Sequence, residues 1–188
     1  MKKWVGIKFM FMMNILFASS YPGDLSYLKN PTPIIYHHAL YPCNWPDNPM
    51  VHYYMKQLKK AGIQTVIYPH KLRMVIPDWV LFAPTTDRVV YTAQDPYYMV
   101  LGMAQQFPNT KITVIGYSDD SAIPEYNNRL SIEQAQKLSA YLWMNDIPNS
   151  TQTLRYEGKG EVDPIANNQR INGMADNRRI EMIIDIPS

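Results

Sequence analysis

The chain has 188 residues, which is room for one domain of ordinary size with extensions. Hydrophobic residues make up 46% of it, which is enough to build a core and excludes a wholly disordered chain. The formal net charge is only +2, and three of the basic residues, Lys2, Lys3 and Lys8, lie at the very start. The remainder is close to neutral, which argues against nucleic-acid binding because that function requires a basic face.

The first 47 residues divide into two segments that are predicted to lie outside the folded domain. Residues 1–20 join the three lysines to a short apolar run at 9–17 and to small residues at 18–20, the pattern of a signal peptide. That run is too short to cross a bilayer as a helix, which needs about 20 residues. Residues 21–47 are rich in Pro, Tyr and Asn and predict an extended arm, since four prolines exclude a long helix: Pro31, Pro33, Pro42 and Pro46.

The remaining residues, 48–188, alternate between helical and strand patterns. A helix is predicted from Pro49, with Asp47 or Asn48 as its cap and Gly62 as its stop. Two strands and a second helix follow, and that helix is expected to have Asp95 as cap and Pro96 at its first position. The strands are predicted at 63–68, 72–77, 111–116, about 152–157 and 179–186, and a third helix at 131 to about 145.

Strands that alternate with helices predict an α/β sandwich, a mixed β-sheet with helices packed on one side. In the third helix the buried stripe is expected to consist of Ile132, Ala135, Leu138 and Leu142, which recur at helical spacing. Ser131 with Gln134 three residues later has the spacing of a capping box, and this is why the helix is predicted to begin there.

Polar side chains follow directly on the strand at 111–116. Tyr117, Ser118 and Asp119 form a turn, and Asn127 comes eight residues after the acid. A turn at which the chain leaves a sheet is a place where binding groups are often presented. On spacing alone, Asp119 is equally well explained as a residue that only caps the turn.

Four blocks of sequence occur in an order that is typical of one family. They are Ile76-Pro77-Asp78 with Val80-Leu81-Phe82; Gly116-Tyr117-Ser118-Asp119 with Asn127, Leu130, Ser131 and Ala135; Gly158-Lys159-Gly160-Glu161 with Pro164; and Asn177-Arg178-Arg179-Ile180-Glu181. In this order they resemble the peptidoglycan-binding domain at the C-terminus of outer membrane protein A. The resemblance implies an OmpA-like domain over residues 48–188, with a mixed sheet and helices on one side.

The resemblance also implies a ligand, the peptide stem of peptidoglycan gripped through diaminopimelate. The free end of that residue is zwitterionic, so it needs a carboxylate opposite its ammonium and a cation, preferably a guanidinium, opposite its carboxylate. The family's acid falls on Asp119, whereas the family's arginine falls on Gln134. The implied peptidoglycan-binding residues are Tyr117, Ser118, Asp119, Asn127, Leu130 and Gln134, with Arg129 or Arg178 as substitute cations.

Two functions fit the resemblance, and a third does not. The chain is either a non-catalytic wall-binding module or a scaffold subunit that keeps the fold and has lost the ligand. A wall hydrolase is rejected because no nucleophile–base or metal-ligand pattern occurs, so no catalytic residue, metal or cofactor is expected. The layout of leader, arm, helix and wall-binding domain also resembles an outer-membrane-associated component of Dot/Icm type IVB secretion systems. That resemblance implies a periplasmic location and other secretion-core subunits as partners.

Overall fold

The computed structural model of the chain describes residues 48–148 and 152–186. The strands are β1 (Gln64–Tyr68), β2 (Lys71–Pro77), β3 (Lys111–Tyr117), β4 (Thr153–Gly158) and β5 (Arg179–Asp185). The helices are α1 (Pro49–Lys60), α2 (Asp78–Leu81), α3 (Gln94–Gln105), α4 (Pro124–Met144) and α5 (Ile171–Asn177). The expected signal peptide, 1–20, and the expected arm, 21–47, lie outside the described residues.

The five strands form one mixed sheet in the spatial order β1-β2-β5-β3-β4. Neighbours pair antiparallel, except that β3 and β4 run parallel and are joined by the long helix α4. A parallel pair needs a crossover connection of this kind, because a tight hairpin can join only antiparallel strands. The mixed sheet that the sequence predicts is therefore confirmed.

Side chains alternate between the two faces of the sheet, and the helices cover one of them. On β2, Leu72, Met74 and Ile76 point into the core and have no solvent exposure. Arg73, between Leu72 and Met74, points to the opposite face, as does Glu181 on β5, which pairs with Val75. Helix α4 packs on β3 and β4, while α1 packs on α3 and β1. The layer of helices on one face, predicted from the sequence, is also confirmed; we call the other face the open face.

Helix α1 follows its sequence signals closely. Asn48 is the N-cap, and its side-chain oxygen accepts a hydrogen bond of 2.9 Å from the backbone N–H of Met50. Pro49 occupies the first helical position, where the missing N–H costs nothing. Beyond the helix, Gly62 has a φ of +81°, the left-handed conformation that glycine adopts without strain.

Helix α3 begins at Gln94, two residues before the predicted first position at Pro96, and a short 3-10 turn precedes it. The expected cap is wrong, because Ala93 occupies the N-cap and Asp95 lies inside the first turn. The carboxylate still lies near the positive end of the helix dipole, which stabilises the helix without capping it. Tyr97, Val100 and Leu101 form part of the buried face of this helix.

Helix α4 shows the largest departure from expectation. It begins at Pro124, seven residues before the predicted start, so Ser131 and Gln134 lie inside the helix and form no capping box. The hydroxyl of Ser131 instead donates to the carbonyl oxygen of Asn128 and accepts from the N–H of Gly160. Ile132, placed in the buried stripe, is 42% exposed, whereas the other three residues of that stripe, Ala135, Leu138 and Leu142, are buried as predicted.

Candidate functional site

The turn after β3 holds a buried carboxylate at the end of the strand. One oxygen of Asp119, Oδ1, accepts hydrogen bonds from the backbone N–H of Ser121 at 3.2 Å and from its hydroxyl at 2.6 Å. The other oxygen, Oδ2, accepts from Nη1 of Arg178 at 2.5 Å. Asp119 therefore both shapes its own turn, as expected for such a residue, and forms a charge-assisted contact with a distant arginine.

A second carboxylate, Asp78, shares the same arginine. Strands β2 and β5 pair so that Pro77 stands opposite Arg179, which places Asp78 beside Arg178. The backbone N–H of Asp78 donates to the carbonyl oxygen of Arg178, and Oδ2 of Asp78 lies 3.5 Å from the Nε of that arginine. Burial raises the pKa of Asp78 from 3.8 to about 7, although the nearby Arg178 guanidinium opposes that shift.

The hydrogen bonds of Asn177 fix the position of the backbone immediately before Arg178. The side-chain oxygen of Asn177 accepts from the backbone N–H groups of Ile165 and Ala166, at 2.8 and 2.9 Å. Its amide nitrogen donates to the carbonyl oxygen of Ala166 and to the side chain of Asn168. Since Asn177 has no solvent exposure, these bonds hold the preceding loop against the end of α5, immediately before the arginine.

Helix α4 supplies the opposite wall of the site. Asn127, Leu130 and Gln134 lie on one face of it because they are spaced by three and four residues. Both amide hydrogens of Asn127 have acceptors, the carbonyl oxygen of Ala122 and a carboxylate oxygen of Glu161, each at 3.0 Å. The amide nitrogen of Gln134 donates to the carbonyl oxygen of Thr86 at 2.8 Å.

The loop at 83–90 closes the site from a third side. Three side chains of α4 hold this loop: Tyr126 donates to the carbonyl oxygen of Thr85, Gln134 donates to that of Thr86, and Lys137 pairs with Asp87. Together these elements enclose a cavity of about 280 Å³. We call it the Asp119 pocket; it is lined by Asp78, Thr85, Tyr117, Ser118, Asp119, Ser121, Ala122, Tyr126, Asn127, Leu130, Gln134 and Arg178.

Seven of the eight predicted site residues line this pocket, and Arg129 does not. Arg129 points away from it and is exposed; its guanidinium lies 5.5 Å from the centre of the Tyr126 ring and 3.9 Å from Glu133. The structure therefore does not bring Arg129 together with the other predicted site residues, because residue 129 faces outward on a helix whose residues 127 and 130 face the pocket. Gln134 does line the pocket, as a buried helix residue that bonds the loop.

Sequence reasoning missed Asp78, Thr85 and Tyr126 as site residues. Asp78 belongs to the first of the four sequence blocks, but nothing local shows that β2 pairs with β5 and brings it beside Arg178. Tyr126 belongs to the part of α4 that the capping-box interpretation left out. A usable signal was present, because Pro124 with Glu125 after it is typical of a helix start.

A second cluster of charges lies on the open face of the sheet. The Glu181 carboxylate accepts hydrogen bonds from Arg73 and from the Nε of Arg179, the latter at 2.7 Å. The guanidinium of Arg179 also stacks 3.7 Å from the centre of the Tyr117 ring, and it donates to the backbone oxygens of Asp163 and Asn177. A cavity of about 320 Å³ lies against this cluster, and Tyr117 lines both cavities.

Other features of the described residues do not compete with the Asp119 pocket. A cavity of about 490 Å³ lies against α5, but most of the residues that line it are exposed. Residues 48–148 and 152–186 contain no group of three or more His, Cys, Asp or Glu side chains placed to hold a metal ion. Among the helices in these ranges, none combines the length and apolar composition that a membrane crossing requires.

Comparison with known proteins gives a family match over the region that builds the pocket. The sequence model described as the OmpA family matches residues 82–178. The chain is 25% identical over 128 residues to the probable lipoprotein YiaD of Escherichia coli, covering 68% of this chain and 58% of that protein. It is 31% identical over 78 residues to the peptidoglycan-binding protein ArfA of Mycobacterium bovis, covering 42% of this chain and 23% of ArfA. The chain thus spans less than two thirds of either relative.

Solved structures share the fold. The cell wall anchor of the T6SS from Pseudomonas aeruginosa aligns with a TM-score of 0.65, covering 73% of this chain and 97% of that one. Its sequence identity is 22%, so this likeness concerns the fold. A five-stranded mixed sheet with helices on one side is thus an architecture that this chain shares with a known structure.

Proposed function

Since this chain belongs to the OmpA family, we propose that it is a non-catalytic peptidoglycan-binding module of a bacterial cell envelope. The observation that carries the proposal is the Asp119 pocket, in which a buried carboxylate at the end of β3 faces a cavity of about 280 Å³. A ligand ammonium finds its opposite charge there. The names of two similar proteins support the choice of ligand, because ArfA is called peptidoglycan-binding and the T6SS protein a cell wall anchor.

The proposed roles of the lining residues follow from their contacts. Asp119 receives the ammonium of the peptide stem, and Ser121 and Arg178 hold the carboxylate in place for it. Leu130 and the ring of Tyr117 supply apolar wall for the aliphatic part of the stem side chain. Asn127 and Gln134 shape the helix side through their bonds to Ala122, Glu161 and Thr86.

Co-sedimentation of the chain with insoluble peptidoglycan tests the proposal. The unaltered chain is expected to sediment with the wall, and Asp119→Asn to remain in solution. Asn keeps the size of the side chain and an oxygen for Ser121 but removes the charge that attracts the ammonium. Asp120→Asn is the matched control, because Asp120 is the next acid of the same turn and is exposed. Equal sedimentation of both variants would contradict the proposed site.

One observation favours a second function, a scaffold that keeps the fold without the ligand. Gln134 stands where the resembled family places its ligand-binding arginine, and its amide bonds the loop at Thr86. Arg178 is the remaining pocket guanidinium among the described residues, and it already contacts Asp119 and Asp78. If the unaltered chain fails to sediment with peptidoglycan while it is folded, the scaffold function replaces wall binding.

We also propose a place for the chain in the cell. It is a periplasmic protein associated with the outer membrane and the cell wall, and a component of the core of a type IVB secretion system. The support is the order of segments in the sequence, in which a leader at 1–20 and an arm at 21–47 precede the domain at 48–188. The arm is the proposed contact for other core subunits. Deleting residues 21–47 is expected to abolish co-purification with those subunits and to leave sedimentation with peptidoglycan intact.

A further inference from the structure

The Asp119 pocket holds two acidic side chains and a single cation among the described residues. The acids are Asp78 and Asp119, and Arg178 is the guanidinium that both share. Because Asp78 and Asp119 are each 2% exposed, water screens charge in the pocket poorly. A ligand carboxylate that enters would meet the Asp119 carboxylate, the Asp78 carboxyl group and one cation that both acids already engage.

The neutral side chains of the pocket also favour a ligand N–H group over a ligand carboxylate. Asn127 has both of its amide hydrogens bound to protein oxygens, so the group it can still present is its oxygen. Gln134 uses one of its two amide hydrogens on Thr86, and Tyr126 donates its hydroxyl hydrogen to Thr85. The oxygens of Asn127 and Tyr126 are thus left as acceptors for a ligand, and acceptors attract N–H groups and repel carboxylates.

One buried group in the pocket has no partner among the described residues. The hydroxyl of Ser118 makes no hydrogen bond there, and the residue is 6% exposed. A buried polar atom without a partner is unfavourable, so it indicates a place that a ligand completes. A hydroxyl both donates and accepts, which suits a carboxamide because that group does the same.

Building on the proposed function, we infer that the pocket selects a peptide-stem side chain that ends in an ammonium without a free carboxylate beside it. The carboxyl group next to the ammonium is either amidated or absent. Asp119 receives the ammonium, and Ser118 with the oxygens of Asn127 and Gln134 accommodates the uncharged remainder. A diaminopimelate with a free carboxylate is discriminated against, because no guanidinium in the pocket lacks a carboxylate partner.

Titration calorimetry with three synthetic stem tripeptides tests this inference. The peptides differ only in the third residue, which is meso-diaminopimelate, the same residue with its side-chain carboxyl amidated, or lysine. On the unaltered chain, the amidated and lysine peptides are expected to bind at least about tenfold more tightly than the free acid. If the amidated peptide also binds more tightly than the lysine peptide, the carboxamide contributes to the affinity. If the two peptides bind equally, the pocket recognises the ammonium alone.

Substitution of Gln134 reverses the preference. Gln134→Arg supplies the missing cation, and a hydrogen bond between charged groups corresponds to about ten- to a hundredfold in affinity for the free acid. Gln134→Met is the matched control, since it fills a similar volume without a charge; it also loses the bond to Thr86, and no gain in affinity for the free acid is expected for it. The order measured on the unaltered chain decides the inference even if Gln134→Arg fails to fold.

The outcomes separate this inference from the proposed function. If the chain sediments with peptidoglycan but binds the free acid as tightly as the amidated peptide, the selectivity is wrong and wall binding stands. The same conclusion follows if the chain sediments and none of the three peptides binds. If the folded chain does not sediment with peptidoglycan at all, the proposed function fails and the inference fails with it.

Discussion

Two buried charge clusters flank Tyr117, and they have opposite compositions. In the Asp119 pocket two carboxylates, Asp78 and Asp119, share one guanidinium, that of Arg178. On the open face two guanidiniums share one carboxylate, that of Glu181. Arg178 and Arg179 are consecutive in the chain, so a single step at the start of β5 separates an acidic cluster from a basic one.

The difference supports the proposal that the pocket cluster, rather than the open-face cluster, holds a ligand. Arg179 uses its donors on Glu181, Asp163 and Asn177 and stacks on Tyr117, so it is almost fully partnered within the protein. Each cluster has one guanidinium Nε without a hydrogen-bond partner among the described residues, that of Arg178 in the pocket and that of Arg73 on the open face, and the pocket adds the hydroxyl of Ser118. A buried hydroxyl without a partner beside a cavity leaves an interaction for a bound molecule.

The largest expected effect is on stability, from Glu181→Gln. This change removes the charge that Arg179, 2% exposed, and Arg73 share, and it leaves a buried guanidinium without its counterion. Breaking a buried pair in this way costs about 3–5 kcal/mol of unfolding free energy. Urea unfolding measures it, and Glu157→Gln, at an exposed acid on the edge strand β4, is the control. A loss as small as the control's would show that the open-face cluster contributes nothing to stability.

Gly116→Ala is expected to disturb the pocket and to spare the open-face cluster. A Cβ at this position of β3 would clash with the backbone carbonyl of Ser131, so α4 has to move away from the sheet. Overpacking of this kind costs about 1–3 kcal/mol. Because α4 contributes Asn127, Leu130 and Gln134 to the pocket, sedimentation with peptidoglycan should weaken together with the melting temperature. Full wall binding by this variant would show that the helix position is not critical.

Asp78→Asn is expected to change how stability depends on pH. In the folded chain the pKa of Asp78 is raised from 3.8 to about 7, so between these values the folded state keeps a proton that the unfolded state has lost. The contribution of this group is therefore fully present below pH 3.8, falls by up to about 1.4 kcal/mol per pH unit as the pH rises, and is lost above about 7.

Urea unfolding at several pH values compares the parent with Asp78→Asn, and the difference between their curves isolates this carboxyl. A parent that gains stability relative to the variant between pH 4 and 7 would show that the attraction of Arg178 exceeds the effect of burial.

The smallest expected effect belongs to Arg129→Ala. This side chain is exposed and lies outside the pocket, so its removal should change the unfolding free energy by less than about 0.5 kcal/mol. Sedimentation with peptidoglycan should be unchanged, in contrast to Arg178→Ala, which deprives Asp119 of its partner. A clear loss of wall binding in Arg129→Ala would place a ligand contact on the outer face of α4.

The sequence predicts most of the sheet and helices because their signals are local. The N-cap at Asn48, the glycine at 62 and the alternation of apolar residues in β2 all act within a few residues of one another. The start of α4 is predicted wrongly for the same reason. Ser131 and Gln134 have capping-box spacing, but their partners in the fold, Gly160 and Thr86, lie far away in sequence.

The site residues are predictable where they lie on one segment of the chain and not where their position depends on the pairing of distant strands. Tyr117 to Asp119 follow a strand directly, and Asn127, Leu130 and Gln134 follow at helical spacing. Asp78 joins them only because β2 pairs with β5 in one register, which no local pattern reveals. The outward direction of Arg129 likewise depends on where α4 begins and how it meets the sheet.

The loop at 83–90 is held to α4 through its backbone. Tyr126 and Gln134 bond the carbonyl oxygens of Thr85 and Thr86, which every amino acid provides. Thr85 and Thr86 can therefore be replaced by other residues, and the loop would still be anchored to α4 at the same two carbonyl oxygens. Thr85 has a φ of 56°, so glycine or asparagine is the easiest replacement there. Substitutions at residues 85 and 86 can thus change the side chains of one wall of the pocket while Tyr126 and Gln134 of α4 stay the same.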